Sequence, residues 1–178
     1  MCKLSSLAGK TVEDLLKMAD IGFEDIPRDL DKLLKGLNII ASNMDFAPLE
    51  KILKDKVEKW GSILGAVAVK DGNIGIFYSS DSKINRIRFT VAHELAHCCL
   101  HASELEKGHV RMRYDGYFPD EEEFKANDFA SELLMPEKIL REDYNKDPRP
   151  DIIDLANKYK VSIHVMEVRL IRLQLLGA

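Results

Sequence analysis

The chain has 178 residues, 46% hydrophobic and 31% charged, the balance of a soluble globular protein. Lys and Arg number 26 against 30 Asp and Glu, a net charge of −4, which argues against a protein whose main task is to coat nucleic acid or an anionic membrane. The apolar run from Ile63 to Val69, interrupted by Gly65, is far too short to cross a bilayer, and the N-terminus lacks an apolar stretch of signal-peptide length.

The first sixty residues read as helical. Thr11 is an N-cap before an acidic first turn, with Leu15, Leu16 and Met18 at helical spacing. Residues 28–37 repeat the pattern through Leu30, Leu33 and Leu34. Residues 37–41 form a short apolar run that predicts a first or edge strand. Pro48 fits the first turn of a helix continuing to Val57. Residues 62–69 and 74–78 are apolar runs around Asp71-Gly72-Asn73, a hairpin signal. The pattern turns helical from Asn85 to His101. A loop is expected over 102–120, then a helix from Glu121 to Met135 that stops at Pro136. Asp147-Pro148-Arg149-Pro150 punctuates the chain before two helices, 151–159 and 162–175. The expected fold is α+β: a small sheet with flanking N- and C-terminal helices in one domain over 1–178. Residues 1–60 form its helical N-terminal part, 61–136 its core and 150–178 its C-terminal helical pair.

The chemistry concentrates in the 85–101 helix. His93-Glu94-Leu95-Ala96-His97 is an HExxH motif. Residues four apart on a helix lie about 6 Å apart on one face, so both imidazoles can reach one metal ion, with Glu94 beside a metal-bound water. From Phe89 to Leu100 the only charged or imidazole side chains are those of the motif. A helix apolar nearly all round is a core helix, and burying two imidazoles and a carboxylate there without partners costs several kcal/mol. A divalent metal compensates them. His101 lies about 12 Å along the axis from His93, too far to share an ion, and reads as a helix-end residue. Three cysteines, two of them the adjacent Cys98 and Cys99 on the apolar side, do not make a disulfide scaffold. They read as buried thiols in a cytoplasmic protein.

A catalytic zinc takes three protein ligands plus water. Glu123 is the best third donor, because it shares a helical face with Ala126, Asn127 and Ala130. The alanines permit close helix approach, and Asn127 can accept the second N–H of a ligating histidine. Asp120, Glu121 and Glu122 read as a solvated acidic first turn.

These residues resemble the ImmA/IrrE family of metallopeptidases. The stretch Arg88 to His97, then Leu100-His101, then Glu123 to Pro136 is similar to the family pattern RFTLAHELGH followed by ExEANxFAxxLLMP. Ala96 stands where glycine is common and Lys125 where glutamate is common. The resemblance implies a gluzincin-like Zn2+ site with His93, His97 and Glu123 as ligands and Glu94 as general base. It also implies regulatory cleavage of a helix-turn-helix transcriptional repressor. Oxyanion candidates are His109, Tyr114 and Tyr117, with Arg111 and Tyr78 as further donors. The alternative is a non-catalytic, metal-stabilised binding or sensor module that sequesters a transcription regulator. The C-terminal helices resemble a helix-turn-helix superficially, but residues 151–178 carry a net charge of only +1 (four basic, three acidic side chains), so direct DNA binding is disfavoured. The apolar stripe Ile163, Met166, Leu170 and Leu173 is expected to pack on the core or a partner.

Overall fold

The computed structural model describes residues 3–116, 120–146 and 151–177. Tyr117, Pro119 and the Asp147–Pro150 segment lie outside the described residues. The fold is α+β, a mixed four-stranded sheet with, among the described residues, ten α-helices and one short 3₁₀ turn.

The N-terminal part supplies α1 (Val12–Met18) and α2 (Leu30–Gly36). Thr11 caps α1 in a reciprocal box with Asp14, and the Asp29 side chain caps α2. Strand β1 (Ile40–Met44) begins later than the apolar run suggested. Leu37 and Ile39 are buried instead in the turn into the strand, where Asn38 takes a positive φ of 52°. The expected helix from Pro48 is two helices, α3 (Ala47–Ile52) and α4 (Lys54–Trp60), broken at Leu53.

The hairpin forms as its turn chemistry requires. Strands β2 (Ile63–Lys70) and β3 (Asn73–Ser79) are joined by Asp71 and Gly72, both at positive φ, as a type I′ turn demands. The sheet order is β1-β3-β2-β4, with β1 parallel to β3 and the other pairs antiparallel. Helix α5 (Ile84–Leu100) crosses one face of this sheet. The expected 102–120 loop instead contains α6 (Ala102–Glu106) and the edge strand β4 (Arg111–Tyr114). Helix α7 (Glu121–Leu134) packs on α5 through the fully buried Ala126 and Ala130. Helix α8 (Glu137–Asn145) was not expected, because Pro136 reads as a stop; Pro136 also serves as the N-cap of α8. Helices α9 (Ile152–Tyr159) and α10 (Ile163–Arg172) close the chain.

The bulge in β2 sets which residues face which layer. Ile63 and Ala66 share one face although three residues apart, because the pairing with β4 shifts register between Ile63 and Gly65. With Phe46 they form a small cluster against α3, joined by Met112 and Tyr114 of β4. Gly65 and Val67 face α5. The larger core on that side runs from Leu4 to Leu173 and includes Met166, Leu170 and Leu173 of α10. Ile163, expected in the same buried stripe, is 45% exposed.

Two buried arginines tie the periphery to this core. Arg28 donates to the carbonyls of Leu133, Gly22, Asp25 and Phe23. Arg169 donates to Met135 O at 3.2 Å and pairs with Glu132, holding α10 on the end of α7. No helix among the described residues is long and apolar enough to cross a membrane.

Candidate metal centre

Every residue of α5 from Phe89 to Cys99 is buried. His93, Glu94 and His97 point toward α7 and the sheet, in a layer kept thin by small residues. On the sheet side that residue is Gly65: a Cβ there would sit 2.3 Å from Thr90 Cγ2 and 3.3 Å from Glu94 Oε1. On the α7 side Ala126 and Ala130 bring the helices together and aim Glu123 at the histidines.

The three donors converge. His93 Nε2 and His97 Nε2 are 3.0 Å apart, and Glu123 lies 3.0 Å from the first and 3.2 Å from the second. One ligand atom from each lies within 4.8 Å of the others, close enough to hold a metal ion. The edge of a tetrahedron with zinc–nitrogen bonds of the usual length is about 3.3 Å, so the trio has near-ligand spacing. Glu94 supplies a second sign of fit: both carboxylate oxygens are buried without a hydrogen-bond partner. Such a group needs a water or cation beside it.

Each histidine is held at its other nitrogen. His93 Nδ1 is 3.0 Å from Asn127 Oδ1. Arg113 Nη1 donates to the same oxygen at 3.0 Å and also crowds Nδ1 at 2.5 Å. A guanidinium has no acceptor, so Arg113 is the donor in both contacts, to Asn127 Oδ1 and to His93 Nδ1 where that nitrogen carries no proton. His97 Nδ1 is 2.9 Å from His101 Nδ1. His101 is thus the C-cap of α5, as expected, but it also supports His97, a contact that axial distance alone did not reveal.

Burial dominates the electrostatics. It pushes the His93 imidazole down to about 3, helped by Arg113, so this ring is neutral and able to ligate. It pushes the Glu94 carboxyl well above its usual range, while Arg113 pulls the other way. Burial also raises Glu123, but hydrogen bonding to His93 and His97 outweighs it and leaves the carboxyl strongly lowered.

A cleft of about 1080 Å³ opens beside Glu123, bordered by Phe89, Arg113, Tyr114, Asn127 and Val165 among others. Of the oxyanion candidates, Tyr114 lines it. His109 is exposed in the turn before β4, and Tyr117 is outside the described residues. Arg111 is engaged by Glu104 and Glu122, and Tyr78 borders a separate groove near Arg28.

Residues 59–171 match the family model Peptidase_M78, the IrrE N-terminal-like domain. The chain belongs to this family. The Peptidase_M78 match runs from the end of α4 into α10 and includes the HExxH helix, Glu123 and the edge strand. The family points to a peptidase, a hydrolase, and is typically metal-dependent. No curated protein matches the chain. Sequence reasoning passed over Arg113 in this Peptidase_M78 site. Its signal was the alternation Arg111-Met112-Arg113-Tyr114, a strand pattern.

Proposed function

We propose that the protein is a cytoplasmic zinc metallopeptidase that makes a regulatory cut in a protein substrate, with a helix-turn-helix transcriptional repressor as the substrate class. The observation that carries this reading is the convergence of His93, His97 and Glu123 beside a buried, unpartnered Glu94. The three converging residues hold the ion, which supplies Lewis acidity toward the peptide carbonyl.

Glu94 accepts the proton of the attacking water and returns it to the leaving amine. Burial suits it to both roles, since it raises the carboxyl toward the working pH and keeps bulk water from competing. Tyr114 borders the cleft, but its ring packs with Phe46 and Ile63 on the sheet face away from α5 and its hydroxyl donates to Met112 Sδ, which turns it away from the converging histidines. The outer edge of β4 carries no strand partner among the described residues, so an extended peptide can lie along it and enter the cleft. At about 1080 Å³ the cleft is at the upper end of the usual range for a ligand pocket, about 300–1,000 Å³.

Direct DNA binding has less support. Arg169 is buried against Met135 O, Arg172 pairs with Asp128, and Lys158 pairs with Asp143. Three of the four basic side chains of the C-terminal pair are therefore engaged within the molecule.

The test is a pair of variants. Glu94→Gln is expected to retain zinc and lose cleavage, while His93→Ala loses both. In cells, Glu94→Gln serves as a trap whose co-purifying protein is then offered to the wild type. Undiminished cleavage by Glu94→Gln overturns the mechanism. A trapped regulator left intact by the zinc-loaded wild type converts the reading to sequestration.

A further inference from the structure

The surroundings of α5 differ on the two sides of the converging histidines. Before them, Arg86 and Phe89 of its first turns form one wall of the cleft, and Met112 to Gly116, along and past the end of β4, form another. After them the space is filled: His97 and His101 are buried, as are Ala102 and Leu105 of α6. Arg111 spans that filled side. Its Nη2 lies 2.5 Å from Glu104 of α6 and 2.5 Å from Glu122 of α7, so one guanidinium ties β4 to both helices. At about 100° per residue, Glu122 points to one flank of Glu123 on α7, while Asn127 and Phe124, which border the cleft, point to the other. The order along β4 is therefore cleft, metal centre, bridge.

We propose that Arg111 is a specificity-determining residue: its bridge to Glu104 and Glu122 ends the peptide-binding cleft at the metal centre, so a substrate is gripped on the N-terminal side of the scissile bond alone. The inference rests on the metallopeptidase reading for the existence of a scissile bond, and adds which part of the substrate is read. The side follows from strand direction. β4 runs from Arg111, at the bridge, to Tyr114, at the cleft. Antiparallel ladders are the more stable per residue, and β2 already pairs with β4 in that sense. A peptide laid antiparallel on the outer edge of β4 therefore has its N-terminal residues beside Tyr114 to Gly116 and its C-terminal residues at Arg111.

The two sides then contribute unequally. At about 3.4 Å per residue, Met112 to Gly116 leave room for about four substrate residues before the metal centre. Their side chains meet Phe89, Phe124 and Val165, an apolar lining against which burial is favourable. Beyond the metal centre the chain meets charges already paired with one another, and it rises over them into solvent.

Zinc-chelating probes that carry peptide on one side only separate the two directions. Peptidyl hydroxamates extend from the ion toward the N-terminal side, and mercaptoacyl peptides toward the C-terminal side. Calorimetry on the zinc-loaded protein gives their affinities. Lengthening an apolar peptidyl hydroxamate from one residue to four is expected to tighten binding by about tenfold or more. The same lengthening of a mercaptoacyl peptide is expected to change it less than about twofold. Arg111→Ala is expected to leave the first series as it is and to make the second length-dependent. Glu122→Ala cuts the bridge from α7 and is expected to do the same; it serves if Arg111→Ala does not fold. Hydrogen exchange is the second readout: the four-residue hydroxamate is expected to slow the amides of Arg113 to Gly116 and to leave those of Ala102 to Glu106 unchanged. Equal gains in the two series, a gain confined to the mercaptoacyl series, no gain in either, or an unaltered length profile in both variants overturns the inference. A protein that takes up zinc and binds the probes with this asymmetry, yet cuts no protein, overturns the metallopeptidase reading and leaves the one-sided cleft standing.

Discussion

Gly65 governs how near the sheet comes to the HExxH helix. An added Cβ would meet Thr90 Cγ2 at 2.3 Å and Phe77 O at 3.0 Å. Thr90 is β-branched and cannot swing its methyl away cheaply. Gly65→Ala is therefore expected to cost about 1–3 kcal/mol in denaturant unfolding, the range for overpacking a core. Thr90→Ser in the same chain removes the offending methyl and is expected to recover most of it; no recovery would place the strain elsewhere. His93, Glu94, His97 and Glu123 were legible in the sequence because helical spacing alone puts them on matching faces. Arg113 and Gly65 were not. Their partners stand 12 to 29 residues away, and only the pairing of β2 with its neighbouring strands and the crossing of α5 bring them together.

Among the elements, the α8–α9 pair depends on one carboxylate. Asp143 lies on α8, its side chain 4% exposed, and accepts from Lys146, from Lys158 and from Tyr159 Oη at 2.8 Å. Burial alone would raise it, but hydrogen bonds from Lys146, Lys158 and Tyr159 outweigh that and hold it down at about 2. A carboxyl lowered on folding adds stability above its unfolded value near 3.9 and loses it as pH falls through about 2. Allowing for screening at the exposed lysines, the contribution is roughly 1–2 kcal/mol. Asp143→Asn is expected to be less stable than wild type by that amount at pH 7, with the gap closing between pH 4 and pH 2. A gap independent of pH in urea titrations would assign the effect to packing. The sequence hid α8 because a proline that ends one helix and begins the next looks the same as one that only ends it. It hid β4 because four residues of alternation, lying between Gly108 and Gly116, resemble loop. The longer helices and the Asp-Gly hairpin were legible because their periodicity and turn chemistry are local.

For the molecule as a whole, the family match and the packed core have different boundaries. The match begins at residue 59, yet Leu4, Leu7, Leu15, Leu33 and Leu37 are buried in the main cluster and β1 completes the sheet. A fragment beginning at residue 59 is expected to lack a cooperative unfolding transition by near-UV circular dichroism; a sharp transition would show that the matched segment folds alone. Arg28 is one of the links between the two parts, and its side chain donates to four main-chain oxygens, of which Leu133 O belongs to the matched segment. Such oxygens are supplied by any residue, so the side chains at Leu133 and Gly22 carry no memory of the contact. Over evolutionary drift, a change at position 28 then has no compensating exchange elsewhere to follow. The position is constrained by the path of the main chain around it, a demand that exchanging the residues at Leu133 or Gly22 would leave unchanged.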